Sequence, residues 1–244
     1  MTSHLYYSTL GRVRWFIKRF GISEVFFKPV RQLFAPLIIP RLPPSTFKFW
    51  DQTHQCFYAP YNTTWIGERM VEIPIIRAAM TQRPQARVLE VGNVLSHYFR
   101  GSHEIVDKFE TGQGVINQDI LEYYPTQDYD LIISISTFEH IGFDDETSTS
   151  SGEKILAALD HCRRLLAPGG QMLVTFPTGY NPQLDELLTS GRLGAVRCDY
   201  LRRVGKRQWE TCSLEEALGS PYRAVFPYGN ALVVAEFHSN RENG

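Results

Sequence analysis

Residues 87–98, RVLEVGNVLSHY, decide how the rest of the chain is read. An apolar run carrying Glu90 meets Gly92 and Asn93, a glycine turn, before a second apolar segment opens. A strand that delivers a carboxylate and then turns sharply builds a nucleotide-sized crevice at the carboxyl end of a parallel sheet. Gly92 lets the backbone come close to a ligand where a Cβ would collide, and Glu90 supplies an acceptor at the strand's end. One glycine is weak on its own. It gains weight from Asp107 one strand later, then Asp119, then YDLIISISTFEH (129–140) and LDHCRRLLAPGGQMLVTFP (159–177).

Around that stretch the pattern is periodic. After Pro84, short apolar runs alternate with helical or loop segments, which predicts an α/β fold with a mostly parallel sheet. Strands are expected at 87–91, 103–107, 114–116, 129–136 and 171–176. The clearest helix lies in EKILAALDHCRRLLAPGG (153–170), where Ile155, Leu156, Leu159, Cys162, Leu165 and Leu166 recur at helical spacing and Pro168, Gly169 and Gly170 end it. The polar run DDETSTSSG (144–152) before it reads as a loop. Further on, VRCDYLRRVGKRQWETC (196–212) reads as two strands turning at Gly205, and NALVVAEFH (230–238) as a final buried strand. Upstream, TFKFWDQTHQ (46–55) suggests a small hairpin. TWIGERMVEIPIIRAAM (64–80) places Trp65, Met70, Ile73, Ile76 and Met80 on one helical face, with Pro74 kinking it.

This succession resembles the class I S-adenosylmethionine-dependent methyltransferases over residues 61–238, most strongly over 87–185. The resemblance implies a Rossmann-like sheet, mostly parallel with an antiparallel last strand, and S-adenosylmethionine as cofactor. It sets Glu90, Gly92 and Asn93 beside the methionine part of the cofactor, although Asn93, Val94 and Leu95 stand where the family carries more glycines. It gives Asp107 the two ribose hydroxyls, with Glu110 as competitor. Asp119 and Ile120 take the adenine, Asp119 equally reading as a helix N-cap before ILEYY. Ser136, closing the fourth strand, completes the cofactor set.

Glu139 and His140 come directly after that strand, where the family faces the acceptor. For a hydroxyl acceptor a histidine with ordinary pKa is the natural base, the alternative being that His140 only packs its loop. Tyr180 and Asn181, in the loop FPTGYNPQLD (176–185), are candidate acceptor contacts, as is Arg69, whose other reading is an ion pair with Glu72 on the neighbouring turn. The resulting expectation is methyl transfer to a small-molecule or sugar hydroxyl, a glycan acceptor included. Its rival is a non-catalytic methyltransferase-like module that binds cofactor or partner. A nicotinamide oxidoreductase lacks its GxGxxG turn here.

Composition bounds the rest. The 244 residues suffice for one sizeable core with an appendage, divided here as 1–60, a basic amphipathic arm and hairpin, and 61–240, the methyltransferase domain. Charge is uneven. Residues 1–50 hold eight cations, among them Arg12, Arg14, Lys18, Arg19, Lys28 and Arg31, against the single anion Glu24, while the remaining residues carry 17 basic against 25 acidic groups. A body of that sign gives no reason to hold a polyanion, so no nucleic-acid partner is expected. Trp15, Phe16, Phe20, Phe26 and Phe27 interleave with the cations and predict two short helices broken near Gly21 and Pro29. Either these aromatics dock onto the body, or the arm over 1–44 rests weakly on anionic membrane. Four scattered cysteines read as reduced thiols, and the histidines show no metal spacing, so no metal is expected. With LFAPLIIP broken by Pro36 and too short to span a bilayer, no signal peptide or membrane span is expected. The expected location is the cytoplasm, peripheral to the membrane's inner face.

Overall fold

A computed structural model describes residues 17, 22–144, 151–239 and 241. Trp15, Phe16 and Phe20, the cations from Arg12 to Arg19, and most of the polar run after Asp144 lie outside the described residues. The chain opens with helix α1 (Ile22–Ile38) and the antiparallel hairpin β1 (Thr46–Phe49) and β2 (Gln52–Gln55). A 3-10 segment over Tyr61–Ile66 leads into α2 (Arg69–Thr81). Then come β3 (Val88–Val91), β4 (Glu104–Asp107), β5 (Val115–Asn117) and β6 (Tyr129–Ile135). Helix α3 (Ser151–Arg164), β7 (Leu166–Pro177) and α4 (Pro182–Thr189) come next. The strands β8 (Arg197–Gly205) and β9 (Gln208–Cys212), the short α5 (Leu214–Leu218) and β10 (Ala231–His238) close the chain.

Eight strands form one sheet in the order β5-β4-β3-β6-β7-β10-β8-β9. The five from β5 to β7 run parallel, and β10 inserts antiparallel between β7 and β8. The strand order reverses between β3 and β6, which both start near the middle of the sheet, and a crevice opens outside their carboxyl ends at such a switch point. Both faces are covered. On one, Ile155, Leu159 and Cys162 of α3 and Leu184 and Leu187 of α4 pack on Leu89, Ile132 and Val174. On the other, Ile73 and Ile76 of α2 meet Leu131, Ile133 and Leu173, while Phe47 and Phe49 of the hairpin join Val71, Leu201 and Trp209. Burial on both sides explains why β6 reads as a continuous apolar run, not an alternating one.

Three expectations change. From Ile22 to Ile38 the chain is one helix that runs through Pro29 and Pro36, where a break near Pro29 was expected, and the expected break near Gly21 lies outside the described residues. Both prolines lie on exposed positions, where the bend that a missing N–H imposes opens toward water and displaces no packed neighbour. Helix α3 ends at Arg164, short of Pro168: Leu166 already pairs with Tyr129 across the sheet, and β7 resumes its register at Gln171 after a bulge. Trp65 belongs to the 3-10 segment and not to the helix, although Met70, Ile73 and Ile76 share the buried face as the spacing predicts. Cys56 and Cys162 are buried free thiols, and Cys198 and Cys212 partly buried ones. Among the described residues no helix is long and apolar enough to cross a membrane, and no group of three or more His, Cys, Asp or Glu could hold a metal ion.

Candidate active site

The turn after β3 is held from beneath by Glu90, which is fully buried. One of its carboxylate oxygens accepts the backbone N–H groups of Val94 and Leu95 at 2.9 and 2.8 Å, and the other meets His103 Nε2 at 2.7 Å. A buried carboxylate with three donors is compensated, so it fixes the loop at little net cost. Gly92 adopts φ +90°, and a Cβ there would lie 2.1 Å from Thr137 Oγ1, so backbone conformation and close approach both demand glycine. Its N–H donates to the Val106 carbonyl at 2.8 Å, tying the turn to β4.

Asp107 closes the same crevice from the end of β4. Its Oδ2 accepts the Asn93 N–H at 2.9 Å, and its Oδ1 accepts those of Phe109 and Glu110, both at 2.7 Å. Glu110 also reaches the turn, binding Asn93 Nδ2 and His97 Nε2 at 2.9 Å each. The two candidates for the ribose therefore divide the work on Asn93, Asp107 holding its backbone and Glu110 its amide. Asp119 caps the Ile120–Glu122 turn through the Leu121 N–H at 3.1 Å and pairs with Lys108 at 3.0 Å. Ile120 is buried in the core cluster behind it.

On the other side of the Gly92 turn, Ser136 follows β6 at φ +42°, a left-handed conformation that costs a non-glycine residue energy. Its hydroxyl donates to Glu72 at 2.8 Å, and the Thr175 hydroxyl donates to the same oxygen at 2.7 Å. The other Glu72 oxygen is buried without a partner, as is one oxygen of Glu139. Burial first, then the nearby charge of Glu68, pushes the Glu72 carboxyl up to about 7 against the pull of Arg69 and the two hydroxyls. Burial likewise holds Glu139 well above the usual carboxylate range. Arg69 serves this acidic cluster: burial alone would lower its pKa, but Tyr98 and the carboxylates of Glu72, Glu68 and Glu139 outweigh that and raise it.

His140 stands at the rim. Its Nδ1 lies 2.6 Å from Asp144 Oδ2, and the Tyr180 hydroxyl lies 3.0 Å from both. The Asp144 carboxylate can only accept, so it places the imidazole proton on Nδ1 and leaves Nε2 as a free acceptor, 3.8 Å from Glu139 Oε1. Tyr180 is buried and braces this pair edge-on, ring centroid 4.8 Å from the imidazole. Asn181 is buried too: its carbonyl caps α4 through Gln183 and Leu184, and its amide donates to the Glu139 carbonyl at 3.0 Å.

The spacing brought Glu90, Gly92, Asn93, Asp107, Ser136, Glu139 and His140 into one neighbourhood, with Arg69 over it. Sequence reasoning missed Asp144, although its position four residues after His140 was a usable signal, and it missed the burial of Glu68 and Glu72. A cavity of about 210 Å³ lies at the opposite end of the sheet, where Trp50, Ala79, Arg83, Gln171 and Glu236 line it, away from Gly92.

An open sheet that reverses order at β3 and β6 and ends with an antiparallel strand inserted beside a hairpin decides the architecture. The chain has a Rossmann-like fold, mostly parallel with an antiparallel strand at β10. No family model matches it, and no curated protein matches it. Among solved structures it is similar to the N-methyltransferase NodS from Bradyrhizobium japonicum WM9 in complex with S-adenosyl-L-homocysteine. That match has 11% identity, covers 71% of this chain and 88% of that one, and has a TM-score of 0.44. A TehB-like SAM-dependent methyltransferase from Corynebacterium glutamicum aligns at 18% identity over 67% and 86% of the two chains, TM-score 0.38. The CurJ carbon methyltransferase aligns at 17% over 73% and 56%, TM-score 0.40.

Proposed function

We propose that the protein is an S-adenosylmethionine-dependent methyltransferase acting on a hydroxyl of a small molecule or sugar. The observation that carries this reading is the turn at Gly92, held at φ +90° close against Thr137 at the carboxyl end of β3, with the Asp107 carboxylate beside it. The residues fit the cofactor. Asp107 Oδ2 accepts one N–H and keeps a lone pair for a ribose hydroxyl. The partner-free oxygens of Glu72 and Glu139 suit a cationic sulfonium, and Arg69 suits a carboxylate. Asp119 and Ile120 would flank the adenine from the edge, with Asn93 and Ser136 shaping the floor.

When bound, the cofactor supplies a methyl group already activated as a leaving sulfonium's substituent. The chain's task is then alignment and the acceptor's proton. His140 takes that proton at Nε2, and Asp144 stabilises the imidazolium that results, while Tyr180 keeps the ring in place. Asn181 sets the height of Glu139 through its backbone, which positions the wall against which the acceptor rests.

Calorimetry with S-adenosylhomocysteine tests the cofactor half: binding is expected, weakened by about 1 to 3 kcal/mol in Asp107→Ala, the range for a lost hydrogen bond to a buried polar group. No binding by the wild type overturns the reading. With an acceptor in hand, His140→Ala should lower turnover by about 10² to 10⁴ at nearly unchanged cofactor affinity. Binding with no turnover on any hydroxyl acceptor favours the non-catalytic module.

A further inference from the structure

Helix α1 is amphipathic and lies inside out. Its polar side faces the body. Glu24, almost fully buried, accepts the Arg31 guanidinium at 2.8 Å and the Tyr228 hydroxyl at 3.5 Å, and Lys28 Nζ donates to Asn62 Oδ1 at 2.7 Å. Fully buried Ala35 continues that side, so positions 24, 28, 31 and 35 form one helical row turned inward. The apolar row points away. Ile22, Phe26, Val30, Leu33 and Leu37, flanked by Phe27 and Phe34, are 48% to 74% exposed. Phe26 and Phe27 thus do not dock on the body. Scattered exposed apolar residues need no explanation, but seven large ones contiguous on one helix mark an interaction surface.

Charge selects the partner. Residues 1–50 carry eight cations against one anion, and the remaining residues carry a net −8. An anionic surface therefore attracts this end of the molecule and repels the rest, which also orients it. A second copy of the chain would bring two such basic arms face to face, and like charges would oppose the contact. Helix α1 is too short to cross a bilayer, about 25 Å at 1.5 Å per residue, and no described helix qualifies as a span, so it would lie in the interface with its apolar row sunk among the acyl chains.

We propose that α1 docks the protein onto an anionic lipid bilayer through Ile22, Phe26, Val30, Leu33 and Leu37. The position of α1 gives this a consequence for the site. Its inward contacts are to Asn62 and Tyr228, and the segment holding Asn62 stacks Tyr61 on His97, 4.2 Å between rings, in the turn after Gly92. Helix α1 therefore packs on the segment that lies against the turn after Gly92, and an acceptor carried on a lipid would be presented on that side of the molecule.

Vesicle co-sedimentation of the full chain tests this without any methyl transfer, so its outcome is independent of the catalytic reading. Wild type should bind vesicles of phosphatidylcholine with phosphatidylglycerol and not phosphatidylcholine alone, and binding should fall as salt rises from about 0.1 M to about 1 M. The double substitution Phe26→Ser with Leu33→Ser should weaken binding by about tenfold or more while the thermal melt stays in place. Absence of wild-type binding, or equal binding by the variant, overturns the proposal. So does a dimer, seen by sedimentation velocity, that the same substitutions dissolve: the occupant would then be a second copy.

Discussion

Helices α1 and α3 carry the same kind of amphipathic sequence and end in opposite surroundings. In α3 the row Ile155, Ala158, Leu159 and Cys162 is buried against the sheet, and Asp160 and Arg164 face water. In α1 the row Ile22, Phe26, Val30, Leu33 and Leu37 faces water, and Glu24 is buried. The difference comes from connectivity. Helix α3 is the crossover between the parallel neighbours β6 and β7, and a crossover helix must pack on the sheet it spans. Helix α1 precedes the hairpin and answers to no such constraint, so polar contacts to Asn62 and Tyr228 set its rotation. Periodicity fixes that a helix has a stripe; topology fixes what covers it.

The largest effect that would break this comparison is expected on α3. Leu159 is 3% exposed within the main core cluster, and Leu159→Ala should cost about 2 to 5 kcal/mol in urea unfolding, the range for deleting a buried leucine side chain. A loss below about 1 kcal/mol would mean that the α3 stripe is no better packed than that of α1.

Helix α2 sharpens the contrast, because it buries charge in place of exposing apolar surface. Glu72 lies among Met70, Ile73 and Ile76, fully buried, with its carboxyl pushed up to about 7 from an ordinary 4.5, chiefly by burial. Between those two values the folded state holds a proton that the unfolded chain has lost, so stability falls as pH rises through this window. Below about 4.5 the penalty is absent; above about 7 it is complete, on the order of 3 kcal/mol. Glu72→Gln keeps an acceptor for Ser136 and Thr175 and removes the ionisation, so urea unfolding should show the variant gaining on the wild type as pH rises from 4.5 to 7. Parallel pH profiles would show that Glu72 does not ionise in that window. They would also remove the argument that a cation is wanted there.

These helices also mark how far the sequence could be read. The strands of the parallel sheet, the 46–55 hairpin, the turn at Gly205 and the antiparallel β10 were legible because each is a local pattern of apolar runs and turn residues. The glycine turn was legible because only glycine serves at φ +90° against Thr137. What escaped was non-local. Nothing in the neighbourhood of Glu72 announces that Ser136, just after β6, and Thr175 of β7 will bind it. The end of α3 was misplaced because Leu165 and Leu166 satisfy helical and strand spacing alike, and only the pairing of Leu166 with Tyr129 decides between them. Pro29 looked like a break because proline removes a helical N–H, and only the exposure of its position in α1 shows that the helix can carry it.

The smallest expected effect tests the comparison most directly. Leu33 is 74% exposed on α1, and Leu33→Ser should change unfolding free energy by no more than about 0.5 kcal/mol, the usual range for a surface substitution. The same chemical change on α3 would leave a buried cavity with a hydroxyl in it, so the two positions should differ several-fold. The measurement also reads what covers the apolar row in the free protein. If residues preceding α1 lay over it, Leu33 would be a core position in solution, and the substitution would cost about 2 kcal/mol or more. A near-zero value means that the row is open in water and that its burial waits for a partner, while a large value means that α1 and α3 obey the same rule after all.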